Sequence, residues 1–263
     1  MTNRTIFPGF KPDEINENDY VLGGVTKLPK IILCPERDWT PYLPELEVQY
    51  NSLFDTYSCT NFSNCNCFET IWKRLFNETI NKSDRYSANI SGTKPGEGNS
   101  HNNVAEKTRI NGFISEELYP FTQIMTQSEF FTMPGTSLLD IGKKLVEKEI
   151  IYLYEKVNRE DFLEALLYSP IQVAVDSQTT ETKSFEKYDH SAMLYGWNAE
   201  KKVWKIFDTY FGRKLEYPED YPFGFGMRFH VEKRQVVDND SSPSNSTSIS
   251  KFIKWLLSII SRG

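Results

Sequence analysis

The chain lacks the features of several large protein classes. Its 263 residues carry 30 Lys and Arg against 36 Asp and Glu, and this acidic balance argues against a general nucleic-acid role. No run of about 18 apolar residues occurs, so no transmembrane span is predicted. No apolar stretch follows the first basic residue, so we expect no signal peptide and favour a cytoplasmic or virion-associated location. A hydrophobic fraction of 39% nevertheless allows one sizeable core.

Cysteine and histidine, the usual ligands of structural zinc, are scarce. There are three histidines and four cysteines, of which Cys59, Cys65 and Cys67 lie close together. They form no C-x-x-C pair, and no histidine stands at metal-ligand spacing. We therefore predict no metal site and no cofactor, and without a signal peptide we expect no disulfide. Cys65 and Cys67 are expected to be small buried side chains on a helix.

The hydrophobic patterns change character along the chain, from helical periods to alternation. Helices are predicted over residues 59–76, 103–111, 137–144 and 161–168, and strands over residues 171–175, 191–195, 203–207 and 226–231. The polar, glycine-containing residues 83–100 are predicted to be a loop. Helices first and antiparallel strands second are typical of the α+β class.

Both ends of the chain differ in composition from its middle. Residues 1–38, rich in Pro, Gly, Asn and charge, are predicted to form an extended arm, and residues 234–248 a flexible linker. Residues 249–263 would form an amphipathic helix, too short to cross a bilayer. Such a helix could bind a membrane surface or a larger assembly, or fold back on its own domain.

Two distant segments supply a thiol and an imidazole. Cys59 precedes the longest predicted helix, and His190 opens an apolar stretch 131 residues later. Asp208 follows at 149 residues from Cys59. A helix start favours a thiolate, a nearby imidazolium favours it further, and a third polar group can orient the ring. The alternatives are a buried helix cysteine, a histidine bonded to backbone, and a solvent-facing Asp208.

Five segments, in order, give the chain a resemblance to the papain-like cysteine peptidases. They are Cys59-Thr-Asn-Phe-Ser with Glu69 ten residues after the cysteine, Asn111-Gly-Phe-Ile-Ser-Glu-Glu-Leu-Tyr-Pro-Phe, Ser169-Pro-Ile-Gln-Val-Ala-Val-Asp, Asp189-His-Ser-Ala-Met-Leu-Tyr-Gly and Trp204-Lys-Ile-Phe-Asp-Thr-Tyr-Phe-Gly. The resemblance covers about residues 39–233, which would be the peptidase domain. It implies a helical half and an antiparallel, barrel-like sheet half with a cleft between them, acting on polypeptides without a cofactor.

The resemblance also implies roles for individual residues. Cys59 would attack a peptide or isopeptide carbonyl and form an acyl-enzyme, and His190 would protonate the leaving amine. Asp208 stands where the family usually has Asn, and either side chain can orient His190. Gln49, ten residues before Cys59, would deliver its amide to the oxyanion if the segment between them holds a four-residue insertion. A plain loop residue is the alternative for Gln49.

A glycine-rich segment resembles the wall of the family's cleft. Gly96 and Gly98 would let an extended substrate approach closely, unless the segment is only a surface loop. His101 and His230 match nothing in the family and are expected to be solvent-side or strand residues.

Two departures affect what the resemblance implies for activity. Thr60 replaces the aromatic residue that usually follows the nucleophile, and either Tyr210 or Phe211 must replace the tryptophan that shields the histidine. Two other functions therefore stay open. One is a papain-fold binding or structural protein that has lost catalysis, associated with a membrane or a virion. The other is an acyl transferase or amidase acting on a non-peptide amide.

Overall fold

The computed structural model describes residues 9–13, 28–177, 187–210 and 212–234. Within them the α-helices are α1 Cys59–Phe76, α2 Asp84–Ser91, α3 His101–Asn111, α4 Gln127–Phe130, α5 Thr136–Lys144 and α6 Phe162–Ala165. The strands are β1 Ile150–Val157, β2 Ile171–Val175, β3 His190–Asn198, β4 Val203–Asp208, β5 Arg213–Pro218 and β6 Gly226–Lys233. The predicted order of helices before strands, and with it the α+β class, is confirmed.

The strands form one six-stranded sheet in the order β1-β6-β2-β3-β4-β5, with every neighbouring pair antiparallel. All five residues of β2 are buried, because this strand lies in the middle of the sheet with α1 packed against it. The hairpin of β3 and β4 brings the start of one strand near the end of the other. That pairing sets His190 and Asp208 at the same end of the sheet.

Helix α1 is the link between the helical part and the sheet. It packs against β2, β3 and β6, and its inner residues Cys67, Phe68 and Ile71 are fully buried. The helix ends at Asn77, whose φ of 55° is left-handed. Cys65 and Cys67 are buried as predicted, and burial raises the pKa of both thiols well above the usual value. These two thiols therefore stay protonated at neutral pH.

The prediction of a loop over residues 83–100 is wrong for its first half. Helix α2 begins after Ser83, whose Oγ accepts a hydrogen bond from the backbone N–H of Tyr86. It ends at Gly92, which has a φ of 72°. The cap and the terminating glycine were both visible in the sequence, but the polar composition between them hid the helix.

Two strands and part of a helix also differ from the predictions. Strands β1 and β5 were not predicted; they occupy the two ends of the sheet order, and β5 is largely polar. Strand β5 gives a weak hydrophobic signal because, as an edge strand, it is covered by only one neighbour. The helix predicted over residues 161–168 is shortened to α6, preceded by a 3₁₀ turn at Arg159–Asp161.

The described parts of the predicted arm lie against the domain. The backbone N–H groups of Leu33 and Cys34 donate to the carbonyl of Leu167, and Arg228 donates to the carbonyl of Leu28. At the other end, the predicted linker, apart from Arg234, and the predicted amphipathic helix lie outside the described residues. No helix in the described ranges is long and apolar enough to cross a membrane.

Candidate active site

The structure brings the predicted thiol and imidazole together. Cys59 is the first residue of α1, His190 is the first residue of β3, and these two elements pack against each other. The two side chains are hydrogen-bonded, and Cys59 is 0% exposed. A helix N-terminus favours negative charge, so the sulfur lies where a thiolate is stabilised.

Asp208 completes a buried row of three side chains. At the end of β4, its Oδ1 lies 2.9 Å from Nε2 of His190 and accepts the backbone N–H of Tyr210 at 2.8 Å. Because Nε2 is engaged by the carboxylate, Nδ1 of the ring is left for the thiol. The alternative of a solvent-facing Asp208 is wrong, since the residue is 1% exposed. The carboxylate thus orients the ring.

The charge of His190 follows from these neighbours. Burial by itself lowers the pKa of the ring, but the Asp208 carboxylate and the Cys59 side chain outweigh burial and raise the pKa well above the usual value. The imidazolium is therefore the stable form at neutral pH. An imidazolium beside a thiol is the arrangement that yields a thiolate–imidazolium pair.

The residue that shields this row is Tyr210. Its ring centroid lies 5.8 Å from that of His190, with the two rings nearly perpendicular at 78°. Tyr210 is buried and also lies 5.9 Å from the ring of Tyr50. The sequence left Tyr210 and Phe211 as equal candidates. Phe211 lies outside the described residues.

Gln49 bridges two segments of the site: the one that contains Thr56 and precedes Cys59, and the one that contains Thr209 and follows Asp208. Its backbone N–H donates to the carbonyl of Thr209 at 3.1 Å, and its own carbonyl accepts from the N–H and hydroxyl of Thr56. Its side-chain oxygen accepts from the Thr209 hydroxyl at 3.2 Å, while its Nε2 donates to Asp55 Oδ1 at 3.5 Å. The buried Gln49 side chain is thus fixed through its oxygen, with its NH₂ weakly engaged. Its use as an oxyanion donor stays a prediction.

Next to the predicted glycine wall, Asn99 pairs with an extended segment of the chain's own arm. The use of Gly96 and Gly98 in substrate binding stays a prediction. The backbone N–H of Asn99 donates to the carbonyl of Gly9 at 3.0 Å, and the N–H of Lys11 donates to the carbonyl of Asn99 at 2.8 Å. Gly98 permits this approach, because a Cβ there would lie 2.0 Å from the Gly9 oxygen. A Cβ at Gly96 would meet nothing within 4 Å, so Gly96, with a φ of 73°, serves the turn.

The arm also lies over the thiol. The N–H groups of Gly9 and Phe10 both donate to the carbonyl of Asp189, next to His190. A Cβ at Gly9 would lie 2.9 Å from Sγ of Cys59, which shows how closely the arm covers the sulfur. The composition of the arm gave no sign of this placement, because it depends on where an extended segment happens to find backbone partners.

Two further parts of the arm hold it at the wall. Lys11 Nζ lies 3.0 Å from a carboxylate oxygen of Glu97, and Asp13 Oδ1 accepts the N–H of Asn102 at 2.9 Å. Asn102 belongs to the first turn of α3, where a carboxylate is favoured. The arm therefore has charged contacts on the far side of Phe10.

The expectation that His101 faces solvent is wrong. The ring is 0% exposed and its Nε2 shares a hydrogen bond of 2.8 Å with Oγ of Ser191. Burial, helped by the charge of Lys156, lowers its pKa to about 3, so the ring is neutral. His230 is a buried residue of β6, which agrees with its interpretation as a strand residue. No group of His, Cys, Asp or Glu side chains in the described ranges is arranged to hold a metal ion.

Comparisons with known proteins support the fold. No family model and no curated protein matches the sequence. Among solved structures, xylellain, a cysteine protease from Xylella fastidiosa, is similar with a TM-score of 0.61 over 87% of this chain and 98% of its own, at 14% identity. Digestive procathepsin L2 proteinase from Tenebrio molitor has a TM-score of 0.55 at 15% identity, over 84% of this chain and 77% of its own. Recombinant stem bromelain precursor has a TM-score of 0.53 at 16% identity, over 73% of this chain and 68% of its own. These neighbours are papain-like cysteine proteases, and the chain has their α+β fold.

Proposed function

We propose that the chain is a cysteine peptidase that hydrolyses peptide bonds through Cys59, His190 and Asp208. The observation that carries the proposal is the buried row in which His190 contacts the Cys59 thiol on one side and the Asp208 carboxylate on the other. In the family that the fold resembles, side chains at these places form an acyl-transfer site. The extended arm at the glycine wall indicates that this cleft accepts a polypeptide backbone.

The proposed reaction has two steps, acylation of Cys59 and hydrolysis of the acyl-enzyme. The Cys59 thiolate attacks the carbonyl carbon, and the C–N bond breaks as the His190 imidazolium gives its proton to the leaving amine. A thioester of Cys59 remains. His190, now neutral, takes a proton from water, and the water oxygen attacks the thioester carbon. The C–S bond breaks, which releases the carboxylic acid and restores the Cys59 thiolate beside the His190 imidazolium. Asp208 keeps the ring oriented throughout and stabilises each imidazolium stage.

The oxyanion formed in each step needs donors. The first N–H groups of a helix have no partner within the helix, so the N–H of Cys59 is one donor. The Gln49 NH₂ is the second in this proposal, since the side-chain oxygen is already held by Thr209. A donor of this kind contributes about 3 kcal/mol to transition-state stabilisation.

The arm must leave before a substrate can bind in this way. Gly9 covers the sulfur, and Phe10 is 5% exposed in the cleft. Replacing Phe10 with Asp would place a charge in an apolar pocket and should release this part of the arm. Since burial of a large apolar side chain is worth about 1.5–3 kcal/mol, the thiol should become about 10–100-fold more accessible.

The experiment measures two quantities in the 263-residue chain that carries Phe10→Asp: the rate of iodoacetamide labelling of each cysteine and the rate of peptide hydrolysis. Cys59 should be alkylated fast, while Cys34, Cys65 and Cys67, whose pKa values are raised by burial, should react slowly. His190→Ala in the same background should suppress both readouts. Equal, slow labelling of all four cysteines together with no hydrolysis of a denatured protein substrate would overturn the proposal.

One observation favours a second candidate, a papain-fold binding protein without catalysis. The Cys59 thiol is buried, Gly9 of the arm lies against its sulfur, and Gly9, Phe10 and Lys11 form backbone hydrogen bonds there. A permanently closed cleft would be a structural interface. This candidate predicts that the Phe10→Asp chain keeps an unreactive Cys59 and loses thermal stability without gaining activity.

A further inference from the structure

A network of buried polar side chains lies next to the reacting pair and has no part in the chemistry described above. Its members, each 1% exposed or less, are Ser63 of α1, His101 of α3, Gln172 of β2 and Ser191 of β3. Ser191 is the residue after His190, and Ser63 lies one helical turn after Cys59. These four side chains are called the hydroxyl network below.

The two serines join the elements that carry the reacting groups. Ser191 Oγ lies 2.7 Å from Ser63 Oγ, so a side-chain hydrogen bond connects β3 to α1. On its other side, Ser191 Oγ lies 2.8 Å from Nε2 of His101. Ser63 Oγ lies 2.8 Å from the carbonyl oxygen of Cys59. The network therefore reaches from the backbone of the cysteine to the residue that follows His190.

The carbonyl of Cys59 fixes the direction of the hydrogen bonds in the hydroxyl network. A carbonyl oxygen can only accept, so the single hydroxyl proton of Ser63 points to Cys59. The two lone pairs of Ser63 Oγ then accept from Gln172 Nε2, at 2.8 Å, and from the hydroxyl of Ser191. With one donor and two acceptor sites in use, the hydroxyl of Ser63 is fully satisfied.

The same reasoning determines which nitrogen of His101 carries the proton. Ser191 uses its only proton on Ser63, so it must accept from Nε2–H of His101. Burial and the charge of Lys156 lower the pKa of His101 to about 3, so the ring has one proton to place. Nδ1, which has no hydrogen-bond partner among the described residues, then holds a lone pair. A buried lone pair without a partner is tolerated better than a buried N–H without one.

Gln172 adds a second connection to the first turn of α1. Its Nε2 also donates to the carbonyl of Thr60 at 2.6 Å, so one amide group holds both Thr60 and Ser63. Gln172 belongs to β2, which pairs with β3 next to Ser191, since Ala174 is the residue opposite Ser191. The start of α1 is thus bound by side-chain hydrogen bonds to both strands that lie below it.

We propose that Ser63 and Ser191 are positioning residues, whose hydrogen bond fixes the separation between the Cys59 sulfur and the His190 ring. This inference rests on the proposed peptidase function, because it concerns how that site is assembled. Neither hydroxyl acts on the reacting atoms. Ser63 acts by holding the carbonyl of Cys59, and Ser191 acts through its peptide bond to His190. His101 supplies the N–H that leaves Ser191 free to donate to Ser63.

The first test removes one hydroxyl from the 263-residue chain that carries Phe10→Asp. In this background, Ser191→Ala should lower kcat for peptide hydrolysis about tenfold with KM within twofold, the effect of losing about one buried hydrogen bond. A looser pair stabilises the Cys59 thiolate less, so the pKa of the thiol should rise. The acid limb of the pH profile of iodoacetamide alkylation should therefore move to higher pH, by about 0.5–1 unit.

Ser169→Ala is the matched control for a loss of stability. Ser169 is also 0% exposed, and its hydroxyl donates to the carbonyl of Pro170 and accepts the N–H of Phe229, away from the pair. Both variants should have a lower melting temperature than their parent chain. Only Ser191→Ala should move the acid limb. Equal shifts in the two variants, or a shift in neither, would refute a positioning role.

A double-mutant cycle tests whether the two serines act as one unit. Ser63→Ala should shift the acid limb as Ser191→Ala does, and the double variant should shift it no further, because either change breaks the same hydrogen bond. Shifts that simply add would contradict the proposal. If Ser191→Ala does not fold, Ser63→Ala compared with Ser169→Ala decides the question.

The direction of the network is tested by nitrogen NMR of the histidine rings in the unsubstituted chain. There are three histidines, and the signals of His101 are those that disappear in His101→Phe. They should show a neutral ring with its proton on Nε2 at pH 5–8. A proton on Nδ1 would mean that Ser191 donates to His101 and not to Ser63, which would overturn the inference.

The outcomes separate this inference from the proposed function. Fast alkylation of Cys59 with an unmoved acid limb in Ser191→Ala would overturn the positioning role alone. If Cys59 is not alkylated at any pH, the peptidase proposal fails, and the network is judged by the pKa of the His190 ring. The Cys59 side chain helps to raise that pKa, so it should be lower in Ser191→Ala than in the unsubstituted chain. Equal pKa values of His190 in the two chains would refute the positioning role.

Discussion

Two clusters of ionisable groups lie beside helix α1, and their neighbours affect their charge in opposite ways: one cluster favours charged groups and the other disfavours them. At the start of α1, His190 lies against the carboxylate of Asp208, and this opposite charge holds the ring in its protonated form. Further along, the buried carboxyl groups of Glu69 and Asp84 and the nearby Glu116 have other carboxyl groups as neighbours. Burial, together with that repulsion, raises the pKa of all three.

The comparison teaches that burial alone does not decide the charge of a group. Glu69 and Glu116 line a cavity of about 600 Å³ together with Lys82, whose pKa is itself lowered by burial. The cavity side of α1 therefore favours neutral carboxylic acids, and the cleft side favours an ion pair. A pair of opposite charges can serve chemistry at neutral pH, and the raised pKa values of both clusters make stability depend on pH.

Removing the imidazole of His190, which lies between Cys59 and Asp208, should have the largest effect. In the Phe10→Asp chain, His190→Ala should lower both peptide hydrolysis and Cys59 alkylation by about 10³-fold, because the proposed general acid and the proposed partner of the thiolate are lost together. Steady-state kinetics and mass spectrometry of the alkylated cysteine measure the change. His230→Ala is the control on the same sheet. A loss of less than tenfold would mean that the pair does not activate the thiol.

Removing the proposed oxyanion donor should have the next largest effect. Gln49→Ala should lower kcat by about 10²-fold with little change in KM, since a donor worth about 3 kcal/mol acts only on the transition state. Alkylation of Cys59 forms no oxyanion and should be nearly unaffected. Gln127→Ala at the start of α4 serves as the control. Equal losses in alkylation and hydrolysis would instead indicate that Gln49 only supports the loop.

Weakening the charge pair without removing the orienting group should have a smaller effect. Asp208→Asn keeps an acceptor for Nε2 of His190, so hydrolysis should fall only about tenfold, while Asp208→Ala should cost about 10²-fold. Since the carboxylate raises the pKa of His190, its loss should move the alkaline limb of the pH–activity profile to lower pH. An unshifted limb in Asp208→Asn would show that the charge of Asp208 has no such role.

The like-charged cluster should show the smallest effect, in stability and not in activity. Burial raises the pKa of Glu116 from 4.5 to about 7, so the folded chain binds the proton more tightly than the unfolded chain. The stabilisation is complete below about pH 4.5 and is lost as the pH rises through about 7, a change of about 3 kcal/mol.

Urea denaturation of the wild type and Glu116→Gln between pH 4.5 and 8 measures this dependence. The variant should show a shallower decline between pH 4.5 and 7, with the remaining slope due to Glu69 and Asp84. The raised pKa of His190 adds a separate decline that begins near pH 6.5, the usual histidine value, and Glu116→Gln should leave it in place. Identical slopes in the two chains would mean that Glu116 is ionised in both states. Glu117→Gln, at an exposed neighbouring position, is the control.

Much of the fold could be predicted because its signals are local. The apolar period after Cys59 predicted α1 with both of its ends, and alternation over residues 171–175 predicted β2. The predictions failed where a neighbour supplies the stability. Strand β5 is polar and is held by its pairing with β4, while the short helix α2 is fixed by Ser83, Gly92 and its packing on α1 and α3.

The candidate site divides in the same manner. The spacing of Cys59, His190 and Asp208 and the resemblance of their segments predicted these three residues as the candidate site. Asn99, Asp189 and the arm residue Phe10 were missed, because backbone groups of any residue type can make the hydrogen bonds found there. His101 was misassigned, because a polar ring is buried here only through its bond to Ser191.

The order of residues by itself determined the class of fold, the helix that begins at the cysteine, and which side chains have the chemistry for acyl transfer. Periodicity and side-chain type are properties of a few neighbouring residues and need no partner. The folded chain alone decided that His190 is charged, that the pKa of Glu116 is raised to about 7, and that the arm lies against the thiol. Each of these depends on burial and on charges supplied by segments far away in sequence, and a local sequence pattern does not show which distant segments will lie nearby.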